Sequence, residues 1–243
     1  MPWRAPPPSR DYCLFLDVDG TLLDITETPS AVVVDADLKS LLGEVSRQLD
    51  GATALVSGRS IATVDELLAP LVLPVAGLHG LEHRSASGEL RRVGPGPEAL
   101  AGARAALTAF VDAHANTMLE DKGRALALHF RRAPEAELAA RQAAQAALRE
   151  LGDAFHVQEG KMVLEIKPSA ATKATAVETF MHEAPFAGRT PVFIGDDLTD
   201  QAGFRIVEAL GGTSIAVGHQ VQGQWRLENP AAVRRWLASI AAL

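Results

Sequence analysis

The sequence is short of several kinds of residue, and each shortage excludes a class of protein. Cys13 is the single cysteine among 243 residues, so no disulfide can form within the chain. We expect it to be a small buried apolar side chain in a core strand. No stretch approaches the roughly 18 consecutive apolar residues that a membrane span needs. With a net charge of −7, the chain has no basic excess to neutralise a nucleic acid backbone.

The two ends of the chain give weaker signals. Residues 1–11 lack the apolar segment of a secretory signal, so we expect a disordered lead-in and a cytoplasmic protein. The apolar segment at about 230–243 is predicted to be a helix that packs on its own sheet, so we expect a monomer. A small phosphorylated substrate remains compatible with the acidic balance, because it needs only a local pocket of positive charge.

Strand-like apolar runs alternate with helical patterns through most of the chain. The runs lie at 12–16, 53–56, 72–76, 191–194 and 214–217, and helical spacing is found at 35–48, 60–68 and 173–182. This alternation predicts an α/β fold with a Rossmann-like parallel sheet covered on both faces. Ligands of such sheets bind at the carboxyl ends of the strands.

The middle of the chain has a different order of elements. We predict a helix at about 98–114, strands at 117–121 and 125–131, a helix at 134–152, and strands at 154–158 and 162–166. This αββαββ order predicts an antiparallel sheet backed by two helices. The predicted domains are therefore a core at 1–95 plus 168–243 and an inserted α+β domain at 96–167.

Acidic clusters follow the first and fourth predicted core strands. Asp17 and Asp19 belong to the first cluster, and Asp196 and Asp197 to the second. Neighbouring carboxylates repel each other, so their placement together indicates a bound cation or a reaction on phosphate. A turn in which aspartate bonds its own backbone would explain one such residue, but it explains two clusters poorly. Because Mg²⁺ prefers oxygen ligands, we assign a magnesium site to these four residues, with Asp19 contributing its main-chain carbonyl.

The first cluster also suggests the reaction. Asp17 is the candidate nucleophile, because a carboxylate can accept a phosphoryl group and form an acyl phosphate. Asp19 could protonate the leaving sugar oxygen and later deprotonate the attacking water. Together the two residues indicate phosphoryl transfer in two steps.

Phosphate-binding candidates follow the same predicted strands. The hydroxyl of Ser57 and the backbone N–H groups of the turn with Gly58 and Arg59 could hold phosphate oxygens. Thr21 stands in the first acidic motif. Lys173, near a predicted helix start, could neutralise phosphate with a mobile charge.

Period-two alternation divides the inserted sheet into two faces. One face should pack on the helices, and it carries Leu126, Leu128, Phe130, Met162, Leu164 and Ile166. The opposite face would carry ionisable side chains: Glu120, Lys122, His129, Arg131, Lys161 and Glu165. From the residues alone, this second face is either plain solvent surface or a floor that binds a polyol.

The order of the motifs resembles the haloacid dehalogenase (HAD) superfamily of phosphatases. The matching features are D-V-D-G-T-L at 17–22, a serine after the second strand, a lysine, and G-D-D at 195–197. Within that superfamily, the stretches 56–60, 77–82, 127–131, 160–168 and 188–200 are similar to bacterial trehalose-6-phosphate phosphatases. The resemblance implies a HAD fold whose inserted domain is a substrate-specificity cap.

This resemblance also implies an activity and a set of sugar ligands. It implies Mg²⁺-dependent hydrolysis of trehalose 6-phosphate through an aspartyl-phosphate on Asp17. The residues that hold the glucose hydroxyls in that family would fall on Glu120, Lys122, Lys161 and Glu165, with His79 and Arg131 as further substrate-binding candidates.

Two alternatives stay open at this point. A phosphatase or mutase of the same fold could act on another sugar phosphate, such as sucrose or mannose phosphate. A catalytically silent sugar-phosphate sensor or scaffold would be expected to lack Asp17, Asp19 or Asp196, and all three are present. The partner is in each case a small sugar phosphate, with no nucleic acid and no membrane involved.

Overall fold

The computed structural model describes residues 3–25 and 32–243, and the chain folds as two compact units. The core unit comprises Met1–Arg92 and Thr172–Leu243, and the inserted unit comprises Val93–Ala171. The predicted α/β class with an α+β insertion is confirmed. That the inserted unit determines substrate specificity stays a prediction.

Twelve strands and seven α-helices form in the described parts of the chain. The strands are β1 (Tyr12–Leu16), β2 (Thr53–Val56), β3 (Val75–Gly77), β4 (Glu82–Arg84), β5 (Leu90–Arg92), β6 (Met118–Asp121), β7 (Leu126–His129), β8 (Phe155–Gly160), β9 (Val163–Pro168), β10 (Thr190–Gly195), β11 (Thr213–Val217) and β12 (Trp225–Leu227). The helices are α1 (Ala36–Gln48), α2 (Ile61–Leu68), α3 (Ala101–Ala113), α4 (Glu137–Leu151), α5 (Lys173–Met181), α6 (Asp200–Ala209) and α7 (Pro230–Ala241).

The sheet of the core unit has eight strands in the order β12-β11-β10-β1-β2-β3-β4-β5. All neighbours are parallel except the pairs β3–β4 and β4–β5, which are antiparallel. The prediction of a parallel sheet is therefore correct for its centre and wrong at one end. The strands β4, β5 and β12 were not predicted, because each has three residues and none contains an apolar run.

The centre of this sheet is the core of the unit. The four residues of β1 from Cys13 to Leu16 are fully buried. The Phe15 ring packs against Phe180 and Phe186, with centroids 5.9 and 5.6 Å apart. The prediction that Cys13 is a buried apolar side chain is confirmed, and burial raises the pKa of its thiol to about 12.

The prediction of a disordered lead-in is wrong for residues 3–11. Arg4 and Arg226 exchange two backbone hydrogen bonds of 2.8 and 3.0 Å, so the segment adds to the edge strand β12. The indole N–H of Trp236 on α7 donates to the carbonyl of Pro6 at 2.8 Å. The first two residues lie outside the described part of the chain. The proline-rich sequence gave no signal because these contacts use backbone groups.

The inserted unit has a four-stranded antiparallel sheet in the order β6-β7-β9-β8. Its apolar face forms a separate core with the inward sides of α3 and α4, which include Leu107, Ala140 and Ala144. The predicted apolar set lies in this core, although Met162 is only packed at its margin, because it sits in the β8–β9 turn with φ of 61°.

None of the helices in residues 3–25 and 32–243 combines the length and apolarity that crossing a bilayer requires.

Candidate active site

The carboxyl ends of the neighbouring strands β1 and β10 bring the two acidic clusters together. Leu16 is paired with Ile194, and the N–H of Asp17 donates to the carbonyl of Ile194 at 3.0 Å. Asp17 and Asp196 therefore emerge side by side, although 178 residues separate them. This edge is where parallel sheets bind their ligands.

Three buried carboxylates form the centre of the site. One oxygen each from Asp17, Asp196 and Asp200 lies within 4.8 Å of the other two. The exposed fractions of these residues are 6%, 7% and 0%. Among the predicted magnesium ligands, Asp19 and Asp197 contribute no side-chain oxygen to this group. The Asp197 carboxylate instead accepts a hydrogen bond from the N–H of Thr199 at 2.6 Å.

Asp200 is the residue of the site to which the sequence reasoning gave no role. One of its oxygens accepts the N–H groups of Asp196 and Asp197, both at 3.0 Å, so it shapes the loop that carries Asp196. A signal was present, because Asp200 stands four residues after Asp196 at the start of α6. A Cβ on Gly195 would lie 2.3 Å from the Asp200 carboxyl carbon, so this approach requires glycine.

Lys173 connects two of the carboxylates. Its Nζ lies 2.7 Å from Asp17 Oδ1 and 2.5 Å from Asp200 Oδ1. The lysine is the first residue of α5, whose N-terminus is held by reciprocal hydrogen bonds between Thr172 and Thr175. Burial lowers the pKa of Lys173, but Asp17 and Asp200 outweigh this effect and the pKa is raised. The lysine therefore stays charged.

The charges of the site do not balance, since three carboxylates face one ammonium group. Burial is the largest cause of the raised pKa of Asp17; Lys173 opposes it, and Asp200 and Asp196 add to it. Burial, together with the nearby Asp200 and Asp197, raises the pKa of Asp196 to about 7. A divalent cation bound by these oxygens would offset the excess negative charge, so the residues present fit Mg²⁺.

Gly20 and Thr21 hold the first motif against Asp196. Gly20 has a φ of +88°, and a Cβ at this position would lie 2.1 Å from Asp196 Oδ2. The sequence therefore needs glycine here both for the backbone conformation and for the space. The hydroxyl of Thr21, which the sequence assigned to phosphate, donates to Asp196 Oδ1 at 3.2 Å.

Asp19 is held by a side chain that follows β2. Two nitrogens of the Arg59 guanidinium donate to the two oxygens of Asp19, each at 2.7 Å. The Arg59 side chain is 10% exposed and the Asp19 side chain 39% exposed. Such a bidentate pair sets the direction of the carboxylate. Arg59, predicted to bind phosphate, is thus seen here as a partner of Asp19.

The other predicted residues of the core unit lie at the ends of β2 and β3. Ser57 is buried, and its hydroxyl accepts the N–H of Arg59 at 3.1 Å. A Cβ on Gly58 would come within 2.8 Å of His79 Nε2, so the imidazole lies directly over this glycine. His79 is buried and has a φ of 58°, a conformation that is uncommon for a non-glycine residue.

The polar face of the inserted sheet holds most of the predicted sugar ligands. The Glu120 carboxylate accepts a hydrogen bond from His129 Nε2 at 2.9 Å, and Lys122 Nζ donates to Glu165 at 3.2 Å. Glu120 has a lowered pKa: burial acts against this, but the hydrogen bond to His129 and the charge of Lys122 prevail.

Two predicted ligands lie away from the centre of this face. Lys161 is exposed in the β8–β9 turn, and Arg131 is exposed after β7, with one guanidinium N–H donating to the carbonyl of Lys161 at 3.4 Å. The sequence did not predict that His156, Gln158 and Lys167 share the polar face. The strand register places them there, opposite Lys167, Glu165 and His156, respectively.

Sequence comparison finds relatives over almost the whole chain. The family model described as trehalose-phosphatase matches residues 15–234. A trehalose-6-phosphate phosphatase of Escherichia coli is 42% identical over 239 residues, which are 98% of this chain and 89% of that protein.

Two solved structures share the fold. One is a trehalose-6-phosphate phosphatase related protein, with a TM-score of 0.81, 23% identity, and coverage of 94% of this chain and 96% of that one. The other is the C-terminal domain of the Candida albicans trehalose-6-phosphate phosphatase, with a TM-score of 0.79, 20% identity, and coverage of 95% and 92%.

Proposed function

This chain belongs to the trehalose-phosphatase family, and on that premise we propose that it hydrolyses trehalose 6-phosphate to trehalose and inorganic phosphate. The observation that carries the proposal for the site is the meeting of Asp17 and Asp196 at one sheet edge, beside a buried lysine. A carboxylate nucleophile, an acidic metal site and a fixed ammonium are what phosphoryl transfer to a carboxylate requires.

The proposed first step forms a bond between a carboxylate oxygen of Asp17 and the phosphorus of the substrate. The bond between phosphorus and the sugar oxygen breaks, and Asp19 gives its proton to that oxygen, so that trehalose leaves. In the second step a water attacks the phosphorus and returns a proton to Asp19. The acyl-phosphate bond breaks, which releases inorganic phosphate and restores the Asp17 carboxylate.

Three groups support these steps electrostatically. Lys173 contacts Asp17 directly, so its charge is available to phosphate oxygens that approach the nucleophile. Arg59 sets the direction of the Asp19 carboxylate in the structure, and one of its two hydrogen bonds to Asp19 has to open for Asp19 to carry the proton of the first step. Mg²⁺, held by Asp17 and Asp196 with Asp197 and the Asp19 carbonyl as further proposed ligands, would reduce the repulsion between the phosphate and the carboxylate nucleophile.

The remaining assignments concern the substrate. We assign phosphate binding to Thr21, Ser57 and Gly58, which lie in loops that follow β1 and β2. We assign the binding of sugar hydroxyls to His79 and to five charged residues of the inserted unit. These are Glu120, Lys122, Arg131, Lys161 and Glu165. Charged groups make the stronger hydrogen bonds to hydroxyls, and a missing hydroxyl leaves them unpaired, which gives selectivity.

A phosphate-release assay with Mg²⁺ tests the function and the nucleophile together. We expect kcat/KM for trehalose 6-phosphate to exceed that for sucrose 6-phosphate, mannose 6-phosphate and p-nitrophenyl phosphate. Asp17→Asn should lose turnover, because an amide is a poor nucleophile, whereas the exposed Asp37→Asn on α1 should not. If another sugar phosphate is preferred, that compound replaces trehalose 6-phosphate as the assigned substrate. An active Asp17→Asn variant would show that Asp17 is not the nucleophile.

A further inference from the structure

One cross-strand row of the inserted sheet contains a polar residue that the proposed sugar ligands leave out. Glu120 is paired with Ala127, Ala127 with Glu165, and Glu165 with Gln158, so four side chains stand in line on the same face. Directly opposite residues in antiparallel strands have Cβ atoms about 5 Å apart. The row therefore extends over roughly 14 Å, which is three spacings between strands.

The two carboxylates of the row already have basic partners. His129 contacts Glu120, and Lys122 donates to Glu165, so each carboxylate is held in a defined direction. They flank Ala127, which carries no polar group, and are about 10 Å apart across the sheet. This arrangement provides two fixed acceptors for hydroxyl groups that lie some distance from each other.

Gln158 is in a different situation at the end of the row. It is half-buried, and its carboxamide has no hydrogen-bond partner among residues 3–25 and 32–243. A carboxamide can donate and accept at the same time, and so it suits a hydroxyl group, which can do both. Beside the acceptor-only carboxylate of Glu165, it adds a donor to a row whose carboxylates otherwise have donors only in their partners Lys122 and His129.

We propose that Gln158 is a further specificity-determining residue, which binds a hydroxyl of the substrate's sugar next to the hydroxyl bound by Glu165. This inference rests on the proposed function, because it presupposes a substrate with several sugar hydroxyls. The row then binds several hydroxyl groups along its length. Gln158 contributes nothing to the binding of a phosphate ester that has no polyol.

The test compares the ratio of kcat/KM for trehalose 6-phosphate to that for p-nitrophenyl phosphate in several variants. Gln158→Ala should lower this ratio about 3- to 10-fold, the loss of one neutral hydrogen bond, mainly through the KM for trehalose 6-phosphate. Gln158→Glu should lower it further, since a second carboxylate then stands opposite Glu165. Gln145→Ala, on the exposed side of α4, is the matched control and should keep the wild-type ratio.

A second measurement reports binding without turnover of the sugar phosphate. The concentration of trehalose that half-inhibits hydrolysis of p-nitrophenyl phosphate should rise by the same factor in Gln158→Ala. The inference is overturned when both Gln158 variants keep a ratio within twofold of the wild type. A wild-type protein with no preference for trehalose 6-phosphate would instead refute the proposed function, and this inference with it.

Discussion

Replacing Lys173 by methionine should destabilise the core unit strongly. The lysine is 4% exposed and forms ion pairs with Asp17 and Asp200, whose side chains are 8% and 0% exposed. Without it, three buried carboxylates have no cation in contact, and removing one partner of a buried pair costs about 3–5 kcal/mol. For a chain of this size, that corresponds to a fall in Tm of roughly 6–20 °C.

Tryptophan fluorescence is a suitable assay, because it reports one unit of the chain. The three tryptophans, Trp3, Trp225 and Trp236, all belong to the core unit. Urea unfolding followed at their emission, with a chelator present for every variant, therefore gives the free energy of unfolding of that unit. Lys39→Met is the control. Within residues 3–25 and 32–243, the Lys39 ammonium makes one hydrogen bond, an exposed one to the carbonyl of Ala69, so the substitution should cost less than about 1 kcal/mol.

A double variant separates charge imbalance from lost packing. Asp200→Asn removes one negative charge and keeps an oxygen to accept the N–H groups of Asp196 and Asp197. In the Lys173→Met background it should therefore restore at least about 1 kcal/mol of stability, without restoring turnover. The reasoning fails if Lys173→Met is within about 0.5 kcal/mol of the wild type, or if the double variant is no more stable than the single one.

Two further expectations follow from the same site. Gly20→Ala should cost more stability than Gly88→Ala and should remove activity. The φ values are similar, +88° and +86°, but the Cβ would meet Asp196 only at Gly20. Thermal unfolding and phosphate release measured on both variants test this difference. Chelation should abolish phosphate release and added Mg²⁺ restore it; full activity in a chelator would remove the metal from the proposed mechanism.

The buried parts of the fold could be predicted well from the sequence. The strands at 12–16 and 53–56 have the predicted bounds, since a strand buried on both faces is apolar throughout and ends where polar residues begin. Two short strands at one end of the eight-stranded sheet were not predicted, because their side chains are mostly polar and give no apolar run. These are Glu82–Arg84 and Leu90–Arg92.

The position of the site in the fold could be predicted better than the ion pairs and hydrogen bonds within it. The meeting of Asp17 and Asp196 follows from topology, because ends of adjacent parallel strands share one edge. The ion pairs among these side chains do not follow from topology, since they depend on rotamers and on the approach of α5. Lys173 was thus expected near phosphate, whereas the structure also gives it contacts with Asp17 and Asp200.

The same difference holds for the inserted sheet. Alternation placed Glu120 and Glu165 on one face correctly. It also placed Lys161 on that face, but this residue lies in the β8–β9 turn, which interrupts the period of two at Met162. Nor could alternation identify Gln158, since only the register between β8 and β9 puts it opposite Glu165.

The inserted unit is one uninterrupted stretch of chain, Val93–Ala171, bounded by the end of β5 and by the N-cap of α5. A stretch of this kind can be exchanged between related genes by replacing a single segment, with every strand of the eight-stranded sheet left intact. The junction that must be preserved is Thr172, since its hydroxyl caps the helix that begins with Lys173. On the proposed assignment of the sugar hydroxyls to the inserted unit, we expect chimaeras joined one residue before Thr172 to differ in sugar preference and to keep the residues around Asp17.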